Sequence, residues 1–283
     1  MQHIGLFFDI VGFVVQTLPE AQRVLGVTSV GSLIYVLRGS KSSEQVEVYD
    51  TVSNDSLQSI TIRALVSPND IVACAHYRCA YISDGSNKCI HRVGLPNGAH
   101  VTKWPVNDKP ARLSVTDTRA VLVTCVVARK IKEFSTDGQK IREIQLAQDI
   151  VSPKHSIQLS SGQFVVCQGD LGDPVHRVCL LSSDGKMVKS FGAAQGSGNR
   201  EMNVPAHMAV DRNGSVYVVD VNNYRVLLLS PLLSFVREVV SRTQLKWRPL
   251  RLWLDTDRRK LYVAVNKLEY DQYTAGRVVV VSV

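Results

Sequence analysis

Asn203 to Val226, NVPAHMAVDRNGSVYVVDVNNYRV, reads as strand, turn, strand, turn, strand. Pro205 opens a short alternating strand, Asp211 to Gly214 make a turn, Val216 to Asp220 form a second strand, and Asn222-Asn223 lead into a third. The unit recurs. Placing the apolar second strand of each copy in register gives Tyr35, Tyr81, Leu122, Val165, Tyr217 and Tyr262, at steps of 46, 41, 43, 52 and 45 residues. Five copies carry a proline 12 or 13 positions upstream of that centre: Pro68, Pro110, Pro153, Pro205 and Pro249. Several strands within each period of roughly 40 to 50 residues mark propeller blades, not a solenoid with one strand per turn. The spacing predicts an all-β, six-bladed β-propeller with four-stranded antiparallel blades over 18–283, preceded by a short segment, 1–17.

Outward from that unit, blade one is expected from about Leu18 to Ser53, blade two to Asn97, blade three to Asp137, blade four to Asp184 and blade five to Ser230, with blade six closing on Arg277 to Val283. Asn97-Gly98, Asp137-Gly138 and Asp184-Gly185 are tight-turn dipeptides that tolerate positive φ. Runs after two of them, Lys140 to Leu146 and Met187 to Phe191, read as outer strands. The apolar run Ile4 to Val15 contains Asp9, has no preceding Lys or Arg and is too short to cross a bilayer. A strand over Phe7 to Val15 that closes the ring, or the stump of a larger protein, is the expectation there, with no membrane span.

A chain of 283 residues with 45% apolar and 20% charged residues can bury a full core. Its net charge of +8 favours encounter with polyanions without setting specificity. The six cysteines, Cys74, Cys79, Cys89, Cys125, Cys167 and Cys179, permit disulfides but read more simply as buried thiols of a cytoplasmic protein. The spacing Cys74-x4-Cys79-x9-Cys89 lacks the close pair of a structural zinc site, so no metal and no cofactor are expected.

Blade five resembles an NHL repeat, through Pro205, Ala209, Val210, Asp211, Gly214, Val216 to Val218, Asp220, Asn223, Arg225 and Val226, with His207 in place of a small residue. Blade two is similar through Pro68, Ala80 to Ile82, Asp84 and Asn87, but Cys89 stands where the arginine would be. The resemblance covers the chain as periodicity and about two blades as a motif. In this signature Asp220 and Arg225 can pair across the hairpin, and Asn223 suits a left-handed turn position. Resemblance to the propellers of tripartite-motif proteins implies a substrate- or RNA-recognition module. The RING, B-box and coiled-coil segments of that family are not in this sequence, so ubiquitin-ligase chemistry does not carry over.

Two residues after each proline stand Asp70, Arg112, His155, His207 and Arg251, all ionisable where composition would give one or two. Quasi-symmetry places them in one ring at the channel mouth. Loops of the same face add Lys41, Lys88, Lys130, Arg177, Tyr224, Trp247 and Arg248, with Trp104 near. Basic groups among aromatics suit an acidic protein segment or a phosphodiester backbone with stacked bases. The candidate ligand-binding set is therefore Arg112, His155, His207, Arg251, Lys88, Lys130, Arg177, Tyr224, Arg248 and Trp247. Peptide-amidating lyases, which resemble NHL propellers, hold a metal with three histidines near the axis; here only His155 and His207 fall in the ring, and a third would have to come from His76 or His176. Motifs for a nucleophile elbow, a zincin helix or a phosphate loop are absent. The sequence thus predicts a non-enzymatic platform for a protein partner, with single-stranded RNA as the alternative and a metal-dependent lyase or hydrolase as the distant one.

Overall fold

The computed structural model describes residues 13–39, 45–198 and 200–283. Six four-stranded antiparallel sheets follow one another around an axis. Blade 1 runs Val24–Val30, Leu33–Arg38, Gln45–Asp50 and Ser56–Thr61 from axis to rim. Blades 2, 3, 4 and 5 repeat the order from inner strands Pro68–Cys74, Pro110–Val115, Pro153–Gln158 and Pro205–Val210. The six sequence centres fall on the second strands, where Tyr35, Tyr81, Leu122, Val165 and Tyr262 are almost completely buried and Tyr217 nearly so. Apolar clusters lie between adjacent blades. One joins Val165, Cys167 and Val178 of blade 4 to Val216, Val218 and Leu227 of blade 5.

The runs expected as outer strands after the tight turns are found, as in Lys140–Gln145 and Met187–Phe191, and because each completes the preceding blade, the first five sheets end one strand later than the expected boundaries. Gly98, Gly138 and Gly185 take positive φ at those turns. The left-handed residue before a third strand is Tyr224 (φ 56°), not Asn223. Asn223 instead donates from Nδ2 to Asp220 Oδ2 at 2.7 Å.

Blade 6 uses Arg248–Asp255, Lys260–Glu269 and Gln272–Ser282, and its outer strand is the N-terminal segment Phe13–Thr17. Most of the strand expected over 7–15 lies outside the described residues. Two buried side chains hold this junction. Asn266 substitutes for a ladder at Val24, accepting its N–H at 2.7 Å and donating to its carbonyl at 2.8 Å. Arg38 donates to Glu47, to Pro19 O and Gln22 O, and to Gly276 O of blade 6. A guanidinium with fixed, divergent donors suits such a multi-strand knot.

Candidate functional site

The inner strand of a propeller blade has a free edge toward the axis, and its buried N–H groups need acceptors. Asp70, His155 and His207, each two positions after a blade-opening proline, supply them, while Arg251 at the same position donates to a carbonyl instead. Asp70 Oδ2 accepts the N–H of Leu113 at 3.0 Å. His155 accepts the Met208 N–H at Nδ1 (3.2 Å) and donates from Nε2 to Leu113 O (3.1 Å). His207 Nδ1 faces the N–H of Leu252 at 3.4 Å, and Arg251 Nη2 donates to Asn69 O at 3.0 Å. Each bond crosses from one blade to another, so the expected ring forms as a plug across the axis.

The sixth ring position is Gly26, which sequence spacing missed because Val24, not a proline, opens blade 1. A Cβ there would stand 2.7 Å from Ile71 Cγ2 and 2.9 Å from the Ile71 nitrogen. Glycine is therefore what admits Asp70 and its strand so close to blade 1.

Charge inside the plug is uneven. Arg251 Nε and His207 Nε2 lie 3.4 and 3.5 Å from the Asp70 carboxylate, near enough to attract it and too far for good hydrogen bonds. Burial raises the Asp70 pKa, but His207, Arg251 and Arg112 outweigh it and hold the carboxyl well below the usual range. Burial, then Arg112, pulls Arg251 down to about 9, still protonated at pH 7. Burial also lowers both imidazoles, which fits their stacking face to face at 3.9 Å between centroids. The charges of two guanidiniums thus act on one carboxylate, with only Arg251 at ion-pair distance, and the buried Arg112 Nε has no hydrogen-bond partner.

The imidazoles also form the inner end of a cavity of about 690 Å³. Its walls include Val115, Ile157, Met208, Leu252, Trp253 and Leu232, and it opens among the turns after the inner strands, such as 159–163 and 211–214. This is the face opposite the loops singled out from the sequence. The signal was there, in apolar side chains further along each inner strand, but nothing in the sequence gives the radial width of the channel.

On the loop face the candidate residues divide. Tyr224, Trp247 and Arg248 come together between blades 5 and 6. Arg242 and Arg248 stack on the Tyr224 ring with Cζ at 4.7 and 5.8 Å, and Arg277 stacks on Trp247 at 4.4 Å. Arg242 and Arg277 were not singled out from the sequence, because one follows an outer strand and the other lies inside a third strand. Among the described residues no carboxylate pairs with these three arginines. Lys130 is instead tied to Glu143 of its own blade, and Arg177 to Asp149 in the connection between blades 3 and 4. Lys88 is exposed on blade 2, Lys41 lies outside the described residues, and Trp104 is buried in an outer strand beneath Gly138. Val66, Val127, Val151, Leu171 and Tyr270 add exposed apolar surface to these loops.

Among the described residues, no histidine metal centre assembles on the axis. Both nitrogens of His155 are engaged; His176 accepts the Val204 N–H and faces Asp173 O; His76 sits in an exposed turn of the opposite face. All six cysteines are free and buried.

The fold and its plugged axis define a six-bladed β-propeller. No protein-family model matches the chain, and no curated protein matches it. Among solved structures it is similar to hydrazine synthase of Kuenenia stuttgartiensis (TM-score 0.62, 13% identity, 92% of this chain and 95% of that one). It is also similar to a chain of a nidogen/laminin complex (0.65, 15%, 81% and 84%) and to virginiamycin B lyase from Staphylococcus aureus (0.61, 9%, 94% and 88%). At these identities the likeness shows the fold alone. No helix among the described residues is long and apolar enough to cross a membrane.

Proposed function

We propose that this chain is a non-enzymatic recognition propeller of NHL type that binds an acidic segment of a protein partner on its loop face, between blades 5 and 6. The observation that carries the reading is the cluster of Arg242, Arg248 and Arg277 on Tyr224 and Trp247, with which no carboxylate among the described residues pairs. Stacking fixes each guanidinium, Arg248 also through its Nε bond to the Tyr224 hydroxyl at 3.3 Å, and the N–H groups not spent in that bond can meet an acidic side chain; Arg, Tyr and Trp dominate binding hot spots. The NHL assignment is supported by blade 5, where Arg225 Nε donates to Asp220 Oδ2 at 2.8 Å and Asn223 closes the same loop. Protein is favoured over RNA because arginines already pack on both aromatic rings, two of them on Tyr224, which reduces the platforms left for bases.

The test is fluorescence anisotropy with a labelled pool of short peptides rich in Asp, Glu and Tyr, beside neutral peptides and oligouridylate. Arg242→Glu with Arg248→Glu should weaken acidic-peptide binding about 30-fold, the equivalent of a ~2 kcal/mol hot spot. Arg212→Glu, on the opposite face, should leave it unchanged. Oligouridylate binding with a steep salt dependence, and no peptide binding, would replace this reading with the RNA one.

A further inference from the structure

The place where blade 2 departs from blade 5 points to a second kind of site. In blade 5 the Asp220 carboxylate faces a cation, and the Arg225 guanidinium continues to Ser197 O, Gly198 O and Glu201 O in the segment before the inner strand. Blade 2 keeps the frame: Asp84 opposes Cys89 in the same register as Asp220 opposes Arg225. Asp84 still gathers the N–H groups of Val66, Ser67 and Asn87 and the Asn87 amide. The guanidinium, however, is replaced by a thiol.

Cys89 and His91 are two residues apart on one strand and so project to the same side. His91 Nε2 lies 3.4 Å from Cys89 Sγ and 3.4 Å from Asp84 Oδ2, and all three side chains are buried. A tetrahedral zinc ion with bonds of about 2.3 Å to sulfur and about 2.0 Å to nitrogen and oxygen needs ligand separations of about 3.3–3.6 Å. The two separations already fall in that range. Beside His91 is a cavity of about 350 Å³ lined by Thr61 to Ala64 and by Thr102 and Lys103. Residues 61–64 precede the inner strand of blade 2, as 197–201 precede that of blade 5, so the cavity occupies the region corresponding to the Arg225 head.

We infer that Asp84, Cys89 and His91 form a binding site for a zinc-class divalent cation, which takes the position of the missing guanidinium and keeps a fourth coordination place toward the cavity. A thiolate, an imidazole and a carboxylate select Zn²⁺ or Co²⁺ over Mg²⁺ and Ca²⁺. The Cys89 thiol loses its proton to solvent as the metal–sulfur bond forms, so affinity rises with pH.

The test is titration of the EDTA-stripped full chain with Co²⁺, followed by displacement with Zn²⁺. One equivalent should bind with a thiolate-to-cobalt charge-transfer absorption. Cys89→Ser should abolish that absorption. Cys89→Ser and His91→Gln should each raise Kd by at least ~100-fold, beyond the 10–100-fold typical of an outer ligand partner. Cys74→Ser and Cys125→Ser should change neither. Far-UV circular dichroism in EDTA checks each variant, and if His91→Gln misfolds, the near-isosteric Cys89→Ser decides. Absence of a thiolate band in the wild type, or equal affinity in wild type and Cys89→Ser, overturns the assignment. Neither result bears on peptide binding at the opposite side of the ring.

Discussion

Replacing Asp70 with asparagine tests the axial plug with the smallest change in shape. An amide can still accept the Leu113 N–H, yet it leaves Arg251 and Arg112 without their shared counter-charge. Removing one partner of a buried charge pair costs about 3–5 kcal/mol. With an unfolding entropy of about 2.1 cal/mol/K per residue, a chain of 283 residues loses roughly 0.6 kcal/mol of stability per degree near its midpoint. The expected fall in Tm is therefore about 5–8 °C at pH 7.5, measured by calorimetry or circular dichroism. Adding Arg251→Met should recover part of the loss, because the cation paired with Asp70 is then removed and only Arg112 is left without its counter-charge. A single variant as stable as wild type, or a double variant whose losses simply add, would refute the reasoning.

Three further outcomes are expected. Because burial holds His155 and His207 below the ordinary imidazole pKa of 6.5, the unfolded chain binds more protons just below that pH; stability should be full above about pH 6.5 and fall on acidification by up to ~1.4 kcal/mol per pH unit for each histidine. Urea midpoints across that range should show a shallower slope in His155→Gln, and an unchanged slope would count against the buried neutral pair. Gly26→Ala should destabilise by about 1–3 kcal/mol, since its methyl meets the Ile71 backbone as well as its side chain; a neutral effect on the urea midpoint would argue against close approach of blades 1 and 2. Arg38→Met should cost about 3–5 kcal/mol by stranding Glu47 and the carbonyls it gathers at ring closure, and hydrogen exchange should quicken first in residues 13–24 and 272–282.

Much of the architecture is legible in the chain because each blade repeats the same local problem. An apolar second strand must be buried on both faces, so Tyr35, Tyr81, Leu122, Val165, Tyr217 and Tyr262 mark it at near-constant spacing. A proline marks the inner strand where no ladder partner precedes it. The convergence of Asp70, Arg112, His155, His207 and Arg251 follows from that symmetry. Their depth does not, because depth depends on how tightly inner strands approach the axis, which Gly26 controls without any proline to announce it. Mutual cancellation of charge within the ring was equally hidden, since distances between blades are not encoded locally. Asp84, Cys89 and His91 were overlooked for another reason: their meeting depends on the cross-strand register of a hairpin, whereas a search by cysteine spacing sees only the chain.

Hydrogen exchange of the full chain, with and without the acidic peptide pool at saturation, tests most directly which surface recognises a partner. Protection is expected in residues 221–224, 242–248 and 272–277, with the turns 159–163 and 211–214 unchanged. Protection confined to those turns, with none at the arginine and aromatic cluster, would contradict the proposed binding face.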